Sequence, residues 1–511
     1  MDLEFIKYQD EDIPRRMLGK NFKFRLGIRH LQLLYMFLMC AAMGALRVSP
    51  SVAMLAVTDT SRLNDTYIQI KNWDRKTQGV ILYSFFMGYA IMLVPGELFL
   101  KRIGGKYTQA VSLLLNGGLC VAMPTVINKG SVLAVSGMHL FMGMSQAWVS
   151  PANQALLRKW LPPDERNLFS RILYLGLLVG IIVALPIIGI VSEARLGWEL
   201  IYYSLAMMAF SMGTICVLLT ASSPNKHQAV GDTEKEYIAV AMSNIEKLQM
   251  EKKGRENVNV TIMSGSPPSI VWFKILTASQ FWKIAFLHIA TNVIFIFCLS
   301  DMALYLQNFN ISLKENTIWM ALLYTMWLLI ELLRMIALYI YNNIFRWNDI
   351  PFKIIFTLSI ICILCGLPAL LYLLPDWKIT AILTLMIIMS SLSIQTHAIK
   401  RNVKQIKDLD PDVISIVSSI VASIVGACVP MLTGFLVVDN VNIHCWRYIF
   451  FTLMSVVSLC HIMYFVLGNY SKRSARNKGN SIRYLISYDN TSDILEVMSN
   501  HNEKMKIEAE K

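Results

Sequence analysis

A single arginine stands inside a long apolar run near the start of the chain. Residues 32–57 read QLLYMFLMCAAMGALRVSPSVAMLAV, and Arg47 carries the only formal charge among them. The run is long enough to cross a bilayer as a helix. Because a charge is costly in hydrocarbon, we expect Arg47 to face a watery or protein-lined cavity, where its guanidinium would attract anions. The alternative is a structural arginine, paired with a helix end or a neighbouring carboxylate.

The predicted fourth span carries a second group of polar side chains. His139, Gly143 and Gln146 have the spacing i, i+4 and i+7, which places them on one face of a helix. The unperturbed pKa of histidine is near physiological pH, so His139 could accept a proton or act as a switchable cation beside Arg47. A lone histidine in an apolar helix is also often a hydrogen-bonded packing residue, and this interpretation stays open.

Hydroxyl and amide groups of two other spans could complete an anion site. The predicted second span offers Tyr83, Ser84 and Tyr89, and the seventh offers the amide of Asn292. Hydroxyls can replace part of an anion's hydration shell, although tyrosine also packs well between helices. We therefore include these four residues in the candidate binding site.

The remaining charges inside apolar runs are few. Asp301 lies near the outward end of the seventh span, and Glu331 and Arg334 have the spacing i, i+3 in the eighth. Glu331 and Arg334 are expected to neutralise each other, which would leave little attraction for a ligand. We interpret this pair as structural.

The composition is typical of a polytopic membrane protein. Hydrophobic residues make up 55% of the 511 residues, charged residues 16%, and the mean hydropathy is +0.49. The net charge of +13 does not indicate nucleic-acid binding, because the basic residues fall in short loops between apolar runs. The nine cysteines show neither paired nor metal-ligand spacing. Without a phosphate-binding glycine loop, a nucleophile motif or a metal cluster, the sequence supports neither an enzyme nor an ATP-driven pump, and no cofactor.

Twelve apolar runs satisfy the length requirement for a membrane helix, six on each side of a polar stretch. We predict an all-α protein with an N-terminal six-helix bundle at 28–220 and a C-terminal six-helix bundle at 280–468. A cytosolic linker at 221–279, with a short amphipathic helix near 233–252, would join them. Two halves of this kind suggest parallel repeats around a central path, with a site near mid-membrane at their interface. The runs lie at about 32–57, 77–100, 107–127, 131–156, 168–192, 198–220, 280–306, 317–341, 352–374, 378–398, 412–437 and 446–467.

The basic loops predict the orientation. Loops after the second, fourth and tenth spans hold most of the loop lysine and arginine, so we place them and both tails, 1–27 and 469–511, in the cytosol. The sequons at Asn64 and Asn310 then face outward, as glycosylation requires. Those at Asn259, Asn469 and Asn490 would be cytosolic and unused.

The turn after the second span is a candidate gating element. Its sequence, KRIGGK, places three cations and two glycines where the chain must reverse within a few residues. The candidate gating residues are Lys101, Arg102, Gly104, Gly105 and Lys106.

Seven segments are shared with one known family. They are RVSPSVAMLAV (47–57), WDRKTQGVILYSFFMGYAIMLVPGELFLKRIGGK (73–106), WLPPDER (160–166), Gly197-Trp198, and stretches at 267–292, 308–316 and 423–434. Together they resemble the anion:cation symporters of the major facilitator superfamily, and the resemblance covers about residues 28–470. That family includes sodium/phosphate cotransporter-like proteins, sialin and the vesicular glutamate transporters. The chain is similar to a divergent, insect-type inorganic phosphate cotransporter.

The resemblance implies the major facilitator fold and a small anionic substrate, organic or inorganic, co-transported with protons or sodium or driven by the membrane potential. The family's first-span arginine falls on Arg47. Its fourth-span arginine falls on His139, and its fourth-span glutamate, tied to proton coupling, falls on Gln146. Glutamine cannot release a proton, so the usual coupling is in doubt unless His139 replaces it. Other departures from the family or superfamily pattern are Lys101, Ala303, Arg334 and Leu338.

Three functions therefore stay open. The first is ion-coupled anion symport by alternating access, with Arg47 as the main anchor. The second is an uncoupled or potential-driven anion facilitator, which Gln146 favours. The third is a receptor-like membrane protein that does not transport. We expect a monomer in the plasma membrane or in an endolysosomal or vesicular membrane, and the sequence does not identify the anion or the driving ion.

Overall fold

The described part of the chain forms twelve helical spans, which are joined by short connections within each half. The computed structural model describes residues 27–62, 68–243, 276–344, 350–373, 377–404, 406, 411–438 and 445–468. Within this part, eleven helices are long and apolar enough to cross a membrane, and the 29-residue helix Arg75–Ile103 lies between two of them as the second span. The first half comprises Ile28–Val57, Arg75–Ile103, Gly105–Lys129, Val132–Ala147 with Val149–Trp160, Pro163–Ser192 and Trp198–Leu219. The second half comprises Ser279–Ser300 with Met302–Gln307, Leu313–Ile344, Ile350–Tyr372, Lys378–Lys404, Pro411–Leu436 and Cys445–Gly468.

Two spans that the sequence predicted as continuous helices are interrupted. The fourth breaks at Trp148, three residues before Pro151, whose ring nitrogen cannot donate to the carbonyl of Ala147. The seventh breaks at Asp301, which joins a 22-residue and a 6-residue helix. Both interruptions lie on spans that carry candidate site residues.

The apolar side chains divide between a core and the outer surface of the bundle. One large cluster of buried residues runs through both halves, from Met39 to Cys460. Many large apolar side chains are instead exposed, including Leu133, Met207 and Leu218. A soluble protein rarely shows so much exposed apolar surface, whereas a membrane protein presents it to lipid.

Glycines allow close packing within the first half. A Cβ added at Gly180 would lie 1.8 Å from the carbonyl oxygen of Ala41, and one added at Gly143 would lie 1.9 Å from that of Phe85. The first and fifth spans, and the second and fourth, therefore pack with their backbones nearly in contact. Small residues at helix interfaces serve the same purpose in other membrane bundles.

The two halves meet at one end of the molecule. We call the ends at which the second and eighth spans begin, and at which the fifth and eleventh finish, the outer ends, because the loop charges predict that they face outward. There, Gly79 of the second span packs against Pro430 and Gly434 of the eleventh. In the same region Gly189 of the fifth span packs against Thr317 of the eighth, so the outer ends are closed.

A helix at 232–243, within the predicted linker, packs on the opposite, inner side of the first half. The carboxylate of Glu234 accepts hydrogen bonds from the backbone N–H groups of Ile28 and Arg29, each at 3.1 Å, at the start of the first span. The Arg29 guanidinium pairs with Glu165 at 3.1 Å and lies 4.9 Å from the centre of the Tyr237 ring. A carboxylate at a helix N-terminus is electrostatically favourable, so this contact stabilises the first span.

Several predicted features lie outside the described residues. They are the tails at 1–26 and 469–511, linker residues 244–275, the side chain of Leu338, and the sequons at Asn64, Asn259, Asn469 and Asn490. Asn310 is described: it is exposed in the connection between the seventh and eighth spans, with φ of 52°. An asparagine tolerates this left-handed conformation better than most residues.

Candidate functional site

Arg47 lies in the interior of the first half and is held by neutral groups. Its Nε donates to Oε1 of Gln146 at 3.4 Å, and its guanidinium carbon is 4.8 Å from the centre of the Tyr89 ring. No carboxylate among the described residues lies within 4.0 Å of it. Neither an aromatic face nor an amide oxygen carries a formal charge that would neutralise the guanidinium, so Arg47 remains able to attract an anion.

A buried polar chain sets the direction of Gln146. Its Nε2 donates to Oδ1 of Asn116 at 3.3 Å, and Asn116 Nδ2 donates to Ser145 Oγ at 2.7 Å. Ser112 Oγ donates to the Ser145 carbonyl at 2.6 Å. Because arginine is only a donor, the amide oxygen of Gln146 must face Arg47 and its NH₂ must face Asn116. Asn116 was not among the residues predicted from the sequence, although an asparagine inside the apolar third span is itself a signal.

His139 does not join this group. The side chain is fully buried, and its Nδ1 is 2.9 Å from the carbonyl oxygen of Val135 in its own helix. Within the described part of the chain its Nε2 has no hydrogen-bond partner, and no contact links the ring to Arg47. The ring lies in the helix packing, and its role as a proton acceptor beside Arg47 stays a prediction.

The other predicted binding residues lie in different surroundings. Ser84 is buried, and its hydroxyl donates to the carbonyl of Val80 in its own helix at 2.8 Å. Tyr83 is half-buried and packs against the apolar core. Asn292 Nδ2 donates to the carbonyl of Ala422 at 2.8 Å and thereby joins the seventh span to the eleventh. Of the predicted set, Tyr89 and Gln146 each contact Arg47.

Tyr174 of the fifth span connects Arg47 with a second group of charges. Tyr174 lies within electrostatic range of Arg47, Arg334 and Glu331. The Nζ of Lys400, in the tenth span, is 5.0 Å from the centre of the Tyr174 ring. Tyr174 thus bridges the two halves of the protein. Neither Tyr174 nor Lys400 was among the site residues predicted from the sequence.

The second group is mostly cationic. Arg334 pairs with Glu331, and Arg171 and Lys400 lie within electrostatic range of the same carboxylate. Glu331 forms the expected ion pair with Arg334 and also accepts a hydrogen bond from Ser393 at 2.8 Å. One carboxylate cannot neutralise three cations, so this group keeps a net positive charge.

The candidate gating turn is compact. The second span ends at Ile103, Gly104 has φ of 84°, and the third span begins at Gly105. The Gly104 N–H donates to the carbonyl of Leu100 at 2.9 Å, and a Cβ at Gly105 would lie 2.8 Å from the carbonyl oxygen of Ala152. The turn therefore needs both glycines, one for its backbone angle and one for its contact with the fourth span. The side chains of Lys101 and Arg102 are exposed, and Lys106 lies over the Tyr107 ring.

Two cavities lie toward the closed outer ends. One, of about 290 Å³, is lined by Lys71, Arg75 and Lys76 among others, on the outer surface. The other, of about 20 Å³, lies deeper, between the first, second, seventh and eleventh spans. Neither touches Arg47, which lies on the inner side of this closure.

Comparison with known sequences confirms the predicted relationship. The chain is 27% identical to a Drosophila ananassae protein named "Putative inorganic phosphate cotransporter" over 52% of each chain. It is 28% identical to human sialin, over 48% of this chain and 46% of sialin, and 28% identical to human vesicular glutamate transporter 2, over 39% and 34%. The alignments thus span about half the length of these relatives or less.

Comparison with solved structures confirms the predicted fold. A bacterial homologue of the human lysosomal transporter Spinster, solved in an inward-facing and unoccupied conformation, superposes with a TM-score of 0.62 at 13% identity. The match covers 86% of this chain and 97% of that one. A D-xylose-proton symporter superposes with a TM-score of 0.58 at 12% identity, over 84% and 96%.

The family model of the Major Facilitator Superfamily matches residues 28–400, from the first residue of the first span into the tenth span. Since this is well over half of the sequence, the chain belongs to the Major Facilitator Superfamily.

Proposed function

We propose that this protein is a secondary transporter of small organic or inorganic anions, with Arg47 as the principal binding group. The superfamily consists of membrane transporters rather than enzymes. The names of the relatives refer to inorganic phosphate and glutamate, which are both anions. The observation that carries the proposal is Arg47 itself: a cation inside the bundle, fixed by Tyr89 and Gln146 and unpaired with any described carboxylate.

The charges around Tyr174 support an anionic substrate. Arg47, Arg171, Arg334 and Lys400 are four cations near one carboxylate, Glu331, which leaves an excess of three positive charges. Arg47, Arg171 and Arg334 are half-buried and Lys400 is exposed, so these side chains keep some access to solvent. A region of one sign with low-dielectric walls concentrates counter-ions. We infer that an anion bound at Arg47 passes this cationic group on its way to or from the inner side.

The closure of the outer ends supports transport by alternating access. Gly79 with Gly434, and Gly189 with Thr317, close the path on one side of Arg47. The conformation corresponds to an inward-facing state if the outer ends face outward, as the loop charges predict. Separation of these contacts, with closure on the inner side, would expose Arg47 to the opposite compartment.

Gln146 supports a second candidate function, an uncoupled or potential-driven anion carrier. The resemblance places Gln146 where the family has its coupling glutamate, and an amide at 3.4 Å from Arg47 cannot exchange a proton. The driving ion therefore has to be measured directly.

The test is uptake of labelled phosphate, glutamate, a sugar acid and a dicarboxylate by purified protein in liposomes, under pH, sodium and voltage gradients in turn. We expect Arg47→Ala to lower the uptake efficiency about 10- to 100-fold, since a hydrogen bond to a charged group contributes about 1.5–3 kcal/mol. Lys129→Ala is the matched control, because it removes an exposed cation at the end of the third span, away from Arg47. Normal transport by Arg47→Ala, or no transport of any anion by folded wild-type protein, would contradict the proposal.

A further inference from the structure

Asp301 is buried where four spans meet at the closed outer ends. Its exposed fraction is 3%, and it lies at the break in the seventh span. It borders the cavity of about 20 Å³, together with Ser51 of the first span, Arg75 of the second and Thr433 of the eleventh. That volume holds about one water molecule. The Asp301 carboxyl therefore lies between the two halves, out of contact with bulk solvent.

No cation neutralises Asp301 in the described part of the chain. Arg75 is the only charged group that borders the same cavity, and no ion pair joins it to Asp301; its Nη1 donates instead to Gln78 at 2.7 Å. The seventh span adds the Cys298 thiol, and the cavity residues of the first and eleventh spans are all uncharged. An ionised carboxylate in such a place costs several kcal/mol, whereas a neutral carboxyl costs much less.

The hydrogen bonds around Asp301 also fit a neutral carboxyl. Ser300 Oγ is 2.8 Å from the carbonyl oxygen of Ile296 and 2.6 Å from Asp301 Oδ2. The Thr433 hydroxyl similarly contacts both the carbonyl of Val429, at 3.1 Å, and the Asp301 carboxyl. Each hydroxyl has a single hydrogen for two oxygen neighbours. A proton on Asp301 supplies a further hydrogen, so that more of these contacts become true hydrogen bonds.

We propose that Asp301 is a proton-binding site whose protonation is required for the outer ends to close. When the outer ends are apart, the carboxyl meets water and ionises; when they close, it is buried without a cation and has to carry its proton. This inference rests on the alternating-access transport proposed above, and it assigns to the seventh span a proton site that Gln146 of the fourth span cannot supply. The site would make closure of the outer ends depend on outer pH.

The experiment measures opening of the outer ends directly, without a substrate. Ser51, exposed by only 4%, borders the same cavity, so a cysteine placed there reacts with a hydrophilic maleimide when the outer ends part. The labelling rate of Ser51→Cys is measured by mass spectrometry of the peptide holding residue 51, in purified protein from pH 5.5 to 8.5. The same rates are measured in the Asp301→Asn background, and the ratio of the two rates removes the pH dependence of the maleimide reaction itself.

We expect the ratio of the two rates, Asp301 over Asp301→Asn, to be near one at pH 5.5 and above about tenfold at pH 8.5. The reason is that a cost of about 1.4 kcal/mol for burying the ionised Asp301 carboxylate raises the open population tenfold. Asp301→Ser serves as a second neutral variant if the asparagine variant folds poorly. Arg47→Ala should keep the pH-dependent ratio, which separates this inference from the anion site. A ratio independent of pH, or one that follows sodium at constant pH, would overturn the assignment of a proton site.

Discussion

Arg47 is a cation that contacts two neutral side chains, those of Tyr89 and Gln146. Tyr89 supports the face of its guanidinium, and Gln146 accepts from its Nε. Neither group competes with an anion for the positive charge. Gln146 therefore offers neither an exchangeable proton nor a charge that competes with the anion for Arg47.

Restoring the acid at position 146 should make anion uptake depend on pH. In Gln146→Glu, the new carboxylate would lie near the Arg47 guanidinium, where wild type has an amide oxygen at 3.4 Å, and would pair with it when ionised. We expect the apparent affinity for the anion to fall about tenfold at pH 7.5, because the ionised carboxylate competes with the anion for Arg47, and to recover only when the pH is low enough to protonate that carboxylate. Uptake against pH, with Gln146→Met as the uncharged control, measures this. Equal pH profiles for Gln146→Glu and wild type would show that residue 146 does not act on Arg47.

Among the elements, the second and fourth spans depend on glycine for their close contact. Gly88 meets the carbonyl of Leu140, and Gly143 meets that of Phe85, so the two helices approach with little side-chain material between them. Tyr89 of the second span and Gln146 of the fourth, which both contact Arg47, lie on these two closely packed helices. The position of the binding group therefore depends on a packing contact made by other residues.

Two glycines of the fourth span give a matched pair of variants. Gly143→Ala places a Cβ 1.9 Å from the Phe85 carbonyl oxygen, whereas Gly137→Ala meets nothing within 4 Å. We expect Gly143→Ala to lower the free energy of unfolding by about 1–3 kcal/mol, because the helices must move apart. Gly137→Ala should be neutral or slightly stabilising, since alanine favours a helix more than glycine does. Thermal unfolding in detergent compares them, and equal midpoints would show that the spans do not pack as described.

In the whole molecule, the backbones of the two halves pack closely at the outer ends, and the side chains of Tyr174 and Lys400 form a further contact between the halves. The first kind of contact has to break for the site to face the other compartment. The ion pair between Lys314 and Glu193, at 3.4 Å on the outer surface, is largely solvent-exposed and adds little to the stability of the closed state.

A disulfide across the outer ends should stop transport reversibly. A Cβ at Gly189 would lie 3.2 Å from the Cβ of Thr317, near the separation found in disulfides. We expect oxidised Gly189→Cys/Thr317→Cys protein to lose nearly all uptake and to regain it after reduction. Each single variant is the control for a steric effect of the new side chain. Full uptake by the cross-linked protein would mean that the outer ends need not separate.

Local properties of the chain explain what could be predicted. The lone charge of Arg47 in an apolar run indicated an interior position, because its cost in hydrocarbon depends on the side chain rather than on its neighbours. The Glu331 and Arg334 ion pair followed from their spacing on one helix. The helical fold followed in the same way from the length and hydropathy of each run, and it is confirmed by the solved structures.

Relations between helices could not be read from the sequence. Spacing placed His139 and Gln146 on one helix face, but a face is wide enough for one side chain to reach Arg47 and the other to be buried in packing. Tyr174 and Lys400 lie 226 positions apart and meet only because the fifth and tenth spans face each other across the two halves. The sequence by itself determined the spans, the interior arginine and the local ion pair, all of which depend on the chemistry of neighbouring residues. The tertiary structure alone decided which polar groups share a site, and that Asp301 is buried without a cation, because both depend on how separate helices rotate and pack against one another.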